Sequence, residues 1–146
     1  MNIPEKLLEV REYNKEGYSP VVDYCAWRVA VLNYSDQLLP QNIKAVQRHN
    51  ETDEVFILLR GRCILFIGDG DQEVTGLFGV NMEPFKLYNV KKTTWHTHTL
   101  DKDAMVLIVE NRDTTFDNSP FCPLSDMQQQ MIIQLTSDLW VDNVTV

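Results

Sequence analysis

From Asp23 to Glu110 the chain runs in short stretches rich in β-branched and aromatic residues, about ten residues apart and separated by turn signals. The stretches are Asp23 to Tyr34, Ile43 to Arg48, Val55 to Leu59, Arg62 to Ile67, Glu73 to Val80, Lys86 to Val90, Thr94 to Thr99 and Ala104 to Glu110. Gly68-Asp69-Gly70-Asp71 is the clearest turn, because glycine and aspartate tolerate the positive φ of tight hairpin loops. Asn81 to Pro84 and Asp101 to Asp103 mark two more turns. Val55 to Leu59 and Ala104 to Glu110 are apolar enough to be buried strands. No helical pattern separates the strands, which excludes a parallel α/β sheet and leaves an antiparallel sandwich or barrel.

The flanks read differently. Residues 3 to 12 form a helical or extended lead-in, and Gly17-Tyr18-Ser19-Pro20 signals a turn before Asp23 to Tyr34, itself a strand pair or one long bent strand. Ser35 to Asn42 and Asn111 to Pro123 read as loops. Ser125 and Gln128 then form a capping-box signature, and Met127, Met131, Ile132, Leu135 and Leu139 share one helical face. The spacing predicts one amphipathic helix over about 126 to 140, packed outside the sheet or on a partner subunit.

A chain of 146 residues fits one domain, 1–146, with a barrel core at about 20–112. Its formal charge of -8 argues against nucleic acid as a partner, since phosphate binding needs a clustered basic surface. No apolar run approaches the roughly 20 residues that span a bilayer, and Met1 to Lys6 lack the start of a signal peptide, so a cytoplasmic location without membrane contact is expected. Cys25, Cys63 and Cys122 are widely spaced, which suits reduced and mostly buried thiols better than a disulfide framework.

Ligand-type residues cluster around the first buried strand. His49 and Glu54 stand five apart before it, and His96 and His98 share a face of a later strand. Two imidazoles and one carboxylate suit zinc, iron, nickel or manganese and leave positions free for water or substrate. The competing reading is that these histidines are polar side chains satisfied by their neighbours. Trp95, Trp27, Tyr24 and Phe56 are either core or pocket lining, Asp53 and Glu51 are solvated turn residues, and Asn111-Arg112-Asp113 is either an anion site or a surface loop. There is no nucleophile elbow, glycine-rich phosphate loop or H-E-x-x-H pattern.

These residues resemble the cupin superfamily. Its first motif, G-x5-H-x-H-x3,4-E-x6-G, is matched by His49, Glu54 and Gly61, with Gln47 in place of the first histidine. Its second, G-x5-P-x-G-x2-H-x3-N, resembles Val90 to His96, with Lys91, Thr93 and Leu100 replacing the proline, glycine and asparagine. The resemblance implies an all-β jelly-roll barrel, often dimeric through edge strands, with the site inside its mouth. It implies His49, Glu54 and His96 as ligands of a divalent transition metal, with Gln47 as a weak fourth ligand or substrate contact, while His98, on the same strand face as His96, is a further ligand, an acid-base group or a hydrogen-bonding partner of the substrate. The expected function is binding of a small molecule, with metal-dependent chemistry on a sugar or organic acid. The alternative is a non-catalytic ligand-binding or sensing protein with a degenerate or empty metal site. A purely structural role would instead predict a mouth plugged by side chains.

Overall fold

The computed structural model describes residues 3–141. Residues 1–2 and 142–146 lie outside the described residues, as do the outer limits expected for the domain and the first two residues of the stretch that lacks a signal-peptide start. The strands are β1 Gly17–Tyr24, β2 Trp27–Asn33, β3 Ala45–Gln47, β4 Glu54–Arg60 and β5 Cys63–Asp69, followed by β6 Gly76–Asn81, β7 Leu87–Val90, β8 Trp95–Leu100, β9 Met105–Asn111 and β10 Phe121–Pro123. One helix, α1 Asp126–Leu139, follows. The strands form two five-stranded sheets, in the orders β1-β2-β9-β4-β7 and β10-β3-β8-β5-β6. Every pairing is antiparallel, so the chain forms the all-β jelly-roll barrel with a C-terminal helix that its sequence predicts.

Strand periodicity explains the interior. On β4, Glu54, Phe56 and Leu58 are buried, and on β9 Val106, Ile108 and Glu110 are buried, so alternate side chains of both strands face inward. They meet Ala30, Leu32, Leu65 and Leu100 in the barrel core. A second apolar cluster lies outside the β10-β3-β8-β5-β6 sheet, where Ile132 of α1 packs with Ile43, Val46, Ile64, Phe66 and Trp95. Ser125 caps α1 through a complete capping box with Gln128. Met127 and Met131 point outward, and Thr136 is buried beside Ile132, so the buried face is rotated from the one that apolarity alone predicts.

Three segments depart from the sequence reading. Gly17 to Pro20 is strand, not turn: it starts β1, an edge strand where the missing N–H of Pro20 is tolerated beside a register shift. The turn falls instead between β1 and β2, with Cys25 at φ 47, so the strand-pair alternative for Asp23 to Tyr34 is the one formed. The turn after β5 runs on until Thr75 N–H donates to the Asp69 carbonyl at 2.8 Å, which delays β6 to Gly76. The loop after β9 contains β10, which pairs with β3. Ser35 to Asn42 is a connection made of two short 3-10 turns, and residues 3 to 12 form neither helix nor strand, with one turn closed by Leu7 N–H on the Pro4 carbonyl at 2.8 Å.

Candidate metal centre and its cavity

Two lateral rows of side chains build the site. In one sheet, Asp23 on β1 pairs with Arg28 on β2, Arg28 pairs with Glu110 on β9, and Glu54 on β4 continues the register in which Val55 faces Val109. In the other, Phe121 pairs with Gln47 and Gln47 with His96. His49 sits on the connection between β3 and β4 and is buried. Its carbonyl accepts from Thr93 N–H at 2.7 Å, which ties that connection to the turn before β8. Thr93 has φ 65, so the position where the cupin pattern carries glycine keeps the left-handed backbone.

Asp53 strengthens the same tie. It accepts from Lys91 Nζ at 2.5 Å, Lys92 N–H at 2.9 Å and Asn89 Nδ2 at 3.0 Å. The Lys91 bond, followed by those from Lys92 and Asn89, holds its pKa down at about 2. Asp53 is therefore a clamp between the two loops rather than a free turn residue, and Lys91, which departs from the pattern's proline, is its partner.

The histidine orientations follow from their Nδ1 partners. His96 Nδ1 lies 2.9 Å from the Thr94 carbonyl, which can only accept, so this nitrogen carries the proton. Ser119 donates its hydroxyl to Asn118 Oδ1 at 3.1 Å and therefore accepts from His49 Nδ1 at 2.7 Å. Both rings thus turn Nε2 toward Glu54 Oε2, at 2.9 Å from His49 and 2.8 Å from His96. Glu54 is only 5% exposed, which makes its charge costly without a partner. Burial would raise its pKa, but the hydrogen bonds from His49 and His96 outweigh burial and lower it. Burial likewise opposes charge on His49, and the hydrogen bond to Glu54 overcomes it and raises the pKa.

This donor set fits a cation. With both Nδ1 protons committed outward, neutral imidazoles direct two Nε2 lone pairs at a carboxylate oxygen, an arrangement that calls for positive charge between them. The three ligand atoms lie within 4.8 Å of one another. Protons on the imidazoles supply the charge one way, and a metal ion supplies it another.

Of the remaining candidate residues, Gln47 lies on the same cavity wall, but its Nε2 donates to the Ser119 carbonyl at 3.0 Å. His98 also lines the cavity; its Nδ1 is buried with no hydrogen-bond partner, and burial pushes its pKa down to about 4. The cavity, about 620 Å³, is open, which counts against a purely structural role. None of the four aromatic candidates lines it. Phe56 is core, with its ring 5.8 Å from those of His96 and His98. Trp95 is buried under Arg48 on the outer face, while Tyr24 and Trp27 stand exposed at the hairpin tip. Arg112 is an exposed loop residue 3.8 Å from Asp23, so Asn111 to Asp113 form no built anion site.

Sequence reasoning missed Tyr18, Arg28, Glu110 and Ser119, all of which line the cavity. Tyr18 hydroxyl donates to Glu110 Oε1, and burial, followed by that bond, raises the tyrosine pKa. Burial and the nearby Glu54 push the Glu110 pKa up as well. The alternation Val106, Ile108, Glu110 carried the signal for an inward acid at the end of β9, and Arg28, Ala30, Leu32 carried the equivalent signal on β2.

No protein-family model and no curated protein sequence matches this chain. Similarity to solved structures is extensive. CapF with a tropolone inhibitor is 12% identical at a TM-score of 0.55, over 77% of this chain and 34% of CapF. Pac13, a nucleoside dehydratase, is 8% identical at a TM-score of 0.53, over 80% of this chain and 87% of that chain. A variant of the Streptomyces PAC13 protein has been solved with uridine. A cupin-2 domain protein from Shewanella frigidimarina is 16% identical at a TM-score of 0.49, over 68% of this chain and 85% of that chain. CapF and Pac13 carry the likeness, which at these identities concerns the fold alone: the chain shares the β-barrel fold of Pac13.

Proposed function

We propose that the protein binds a small polar metabolite in the barrel cavity, and that His49, Glu54 and His96 hold a divalent transition metal there, in a metal-dependent enzyme. The carrying observation is the convergence of two Nε2 atoms on Glu54 Oε2, with each Nδ1 held from behind. Zinc, iron, nickel or manganese would suit this imidazole and carboxylate set, and the chemistry supplied there would be that of a Lewis acid toward an oxygen of the ligand. Gln47 borders the group and contacts the ligand through its amide. His98, two residues along β8 on the same cavity wall, serves as the acid-base group. The cavity volume suits a small molecule, and PAC13 with uridine is a protein of the same fold that takes one. Three free thiols fit a reducing cytoplasm, and the edge strands β1, β6, β7 and β10 offer a surface for a homodimer.

A second reading is supported by the hydrogen bonds that the His49, Glu54 and His96 group already makes within itself, and by glutamine at position 47. On it the protein is a non-catalytic ligand-binding or sensing cupin with a degenerate metal site. Elemental analysis of purified protein, with titration of Zn, Mn, Fe and Ni into the apoprotein and into His96→Ala, separates the two. One equivalent bound by the wild type and lost in the variant supports the first. No stoichiometric binding under any condition overturns it and leaves the second.

A further inference from the structure

The cavity has a second polar pole that the metal reading leaves unused. Arg28 rises from β2 with its side chain only 18% exposed and lines the cavity. Its Nε donates to Asp23 Oδ1 at 3.2 Å on the outer side. Nη1 stops 3.9 Å from Glu110 Oε1, too far for a hydrogen bond, and that oxygen already accepts from Tyr18. Among the described residues the Tyr18 oxygen is a further hydrogen-bond partner of the guanidinium beside Asp23, and one such acceptor does not use up the four N–H bonds of the two Nη groups. Asp23 is also shared with Arg112 at 3.8 Å, which weakens its neutralisation of Arg28. A part-buried guanidinium with spare donors recognises a planar anion by a two-pronged hydrogen bond.

Apart from these poles the walls are mostly apolar, with Leu32, Leu38, Ala45 and Ile108 among the lining and the tilted rings of Phe116 and Phe121, 5.9 Å apart, exposed beside them. Arg28 and Glu54 sit in one lateral row with Glu110 between, two interstrand spacings or about 10 Å apart at the backbone.

We propose that Arg28 anchors the carboxylate of the ligand, and that the ligand is a small carboxylic acid with an apolar body and a second oxygen donor directed at His49, Glu54 and His96. This rests on the small-molecule reading above and narrows it from a polar metabolite in general to an organic acid. A sugar would leave its hydroxyls facing the apolar middle of the cavity. A phosphate dianion would bring two charges beside Glu110 and Glu54.

Calorimetric titration with mandelate, with the uncharged mandelamide of the same shape and with phenyl phosphate tests this. The wild type should bind mandelate about tenfold more tightly than mandelamide, the size expected of a charge-assisted pair. Arg28→Gln should bring the two probes level, and Arg28→Lys should restore part of the preference. His96→Ala should weaken both probes and preserve their ratio. The inference is overturned by equal binding of mandelate and mandelamide to the wild type, by a preference that survives Arg28→Gln, by tighter binding of phenyl phosphate, or by binding of no probe. The wild-type comparison needs no variant, so a misfolded Arg28→Gln does not rescue the idea. Stoichiometric metal or mandelamide binding alongside a failed mandelate preference leaves the small-molecule reading standing and removes Arg28 from it.

Discussion

Ser119 is the residue on which the orientation of His49 depends. It is 1% exposed, accepts from His49 Nδ1 and donates its own O–H to Asn118 Oδ1, so one hydroxyl fixes both the tautomer and the tilt of the ring. Ser119→Ala should weaken zinc binding roughly 10- to 100-fold and lower the melting temperature by a few degrees, because it leaves the buried His49 Nδ1–H without an acceptor, as zinc titration and thermal melting would show. An unchanged affinity would mean that His49 is held by Glu54 alone. This role was not legible in the sequence, because Ser119 lies in a loop 70 positions from its partner and no periodicity connects the two. His49, Glu54 and His96 were legible because their spacing matches a pattern. Arg28 and Glu110 were overlooked because each sits in a run of apolar neighbours that reads as core.

At the level of the elements, the closing glycine of the first motif acquires a physical reason. Gly61 has φ +70 where the chain passes from β4 in one sheet to β5 in the other, and a Cβ there would lie 2.4 Å from Ala104 N. Gly61→Ala combines backbone strain with a clash against main chain, so it should cost at least about 2 kcal/mol. Chemical denaturation would measure this, and a loss below 0.5 kcal/mol, the size of an ordinary surface change, would show that the turn can shift to admit a methyl group. Strand existence was readable from the alternation of residues, and the helix from its cap. Strand limits were less so, since the start of β1 contains a glycine and a proline that signal a turn locally, whereas pairing with β2 decides the outcome. The three-residue β10 is too short for periodicity to reveal and exists only because β3 offers it a partner.

For the molecule as a whole, the two apolar clusters share the β10-β3-β8-β5-β6 sheet, the barrel core on its inner side and the helix cluster on its outer side. Cys63 belongs to the first and Cys122 to the second, whereas Cys25 is exposed on the β1–β2 turn. Burial raises the Cys63 pKa, which keeps its thiol protonated and unreactive in the folded protein. Iodoacetamide at neutral pH should therefore label Cys25 at the rate of a free thiol, and Cys63 and Cys122 only as fast as the structure opens, with mass spectrometry reading each site. Faster labelling of Cys122 than of Cys63 would show that the helix side opens independently of the barrel.

The lateral rows that assemble the cavity also set when it comes into being. Tyr18 meets Glu110 across 92 positions and His49 meets Ser119 across 70, while His96 and Glu54 come from opposite sheets. Contacts of such long range form only after the chain has closed most of its loops, so the site belongs to the late, slow part of folding. A nascent or partly folded chain has no assembled group of His49, Glu54 and His96. The pocket is thereby complete only in molecules that have closed the barrel.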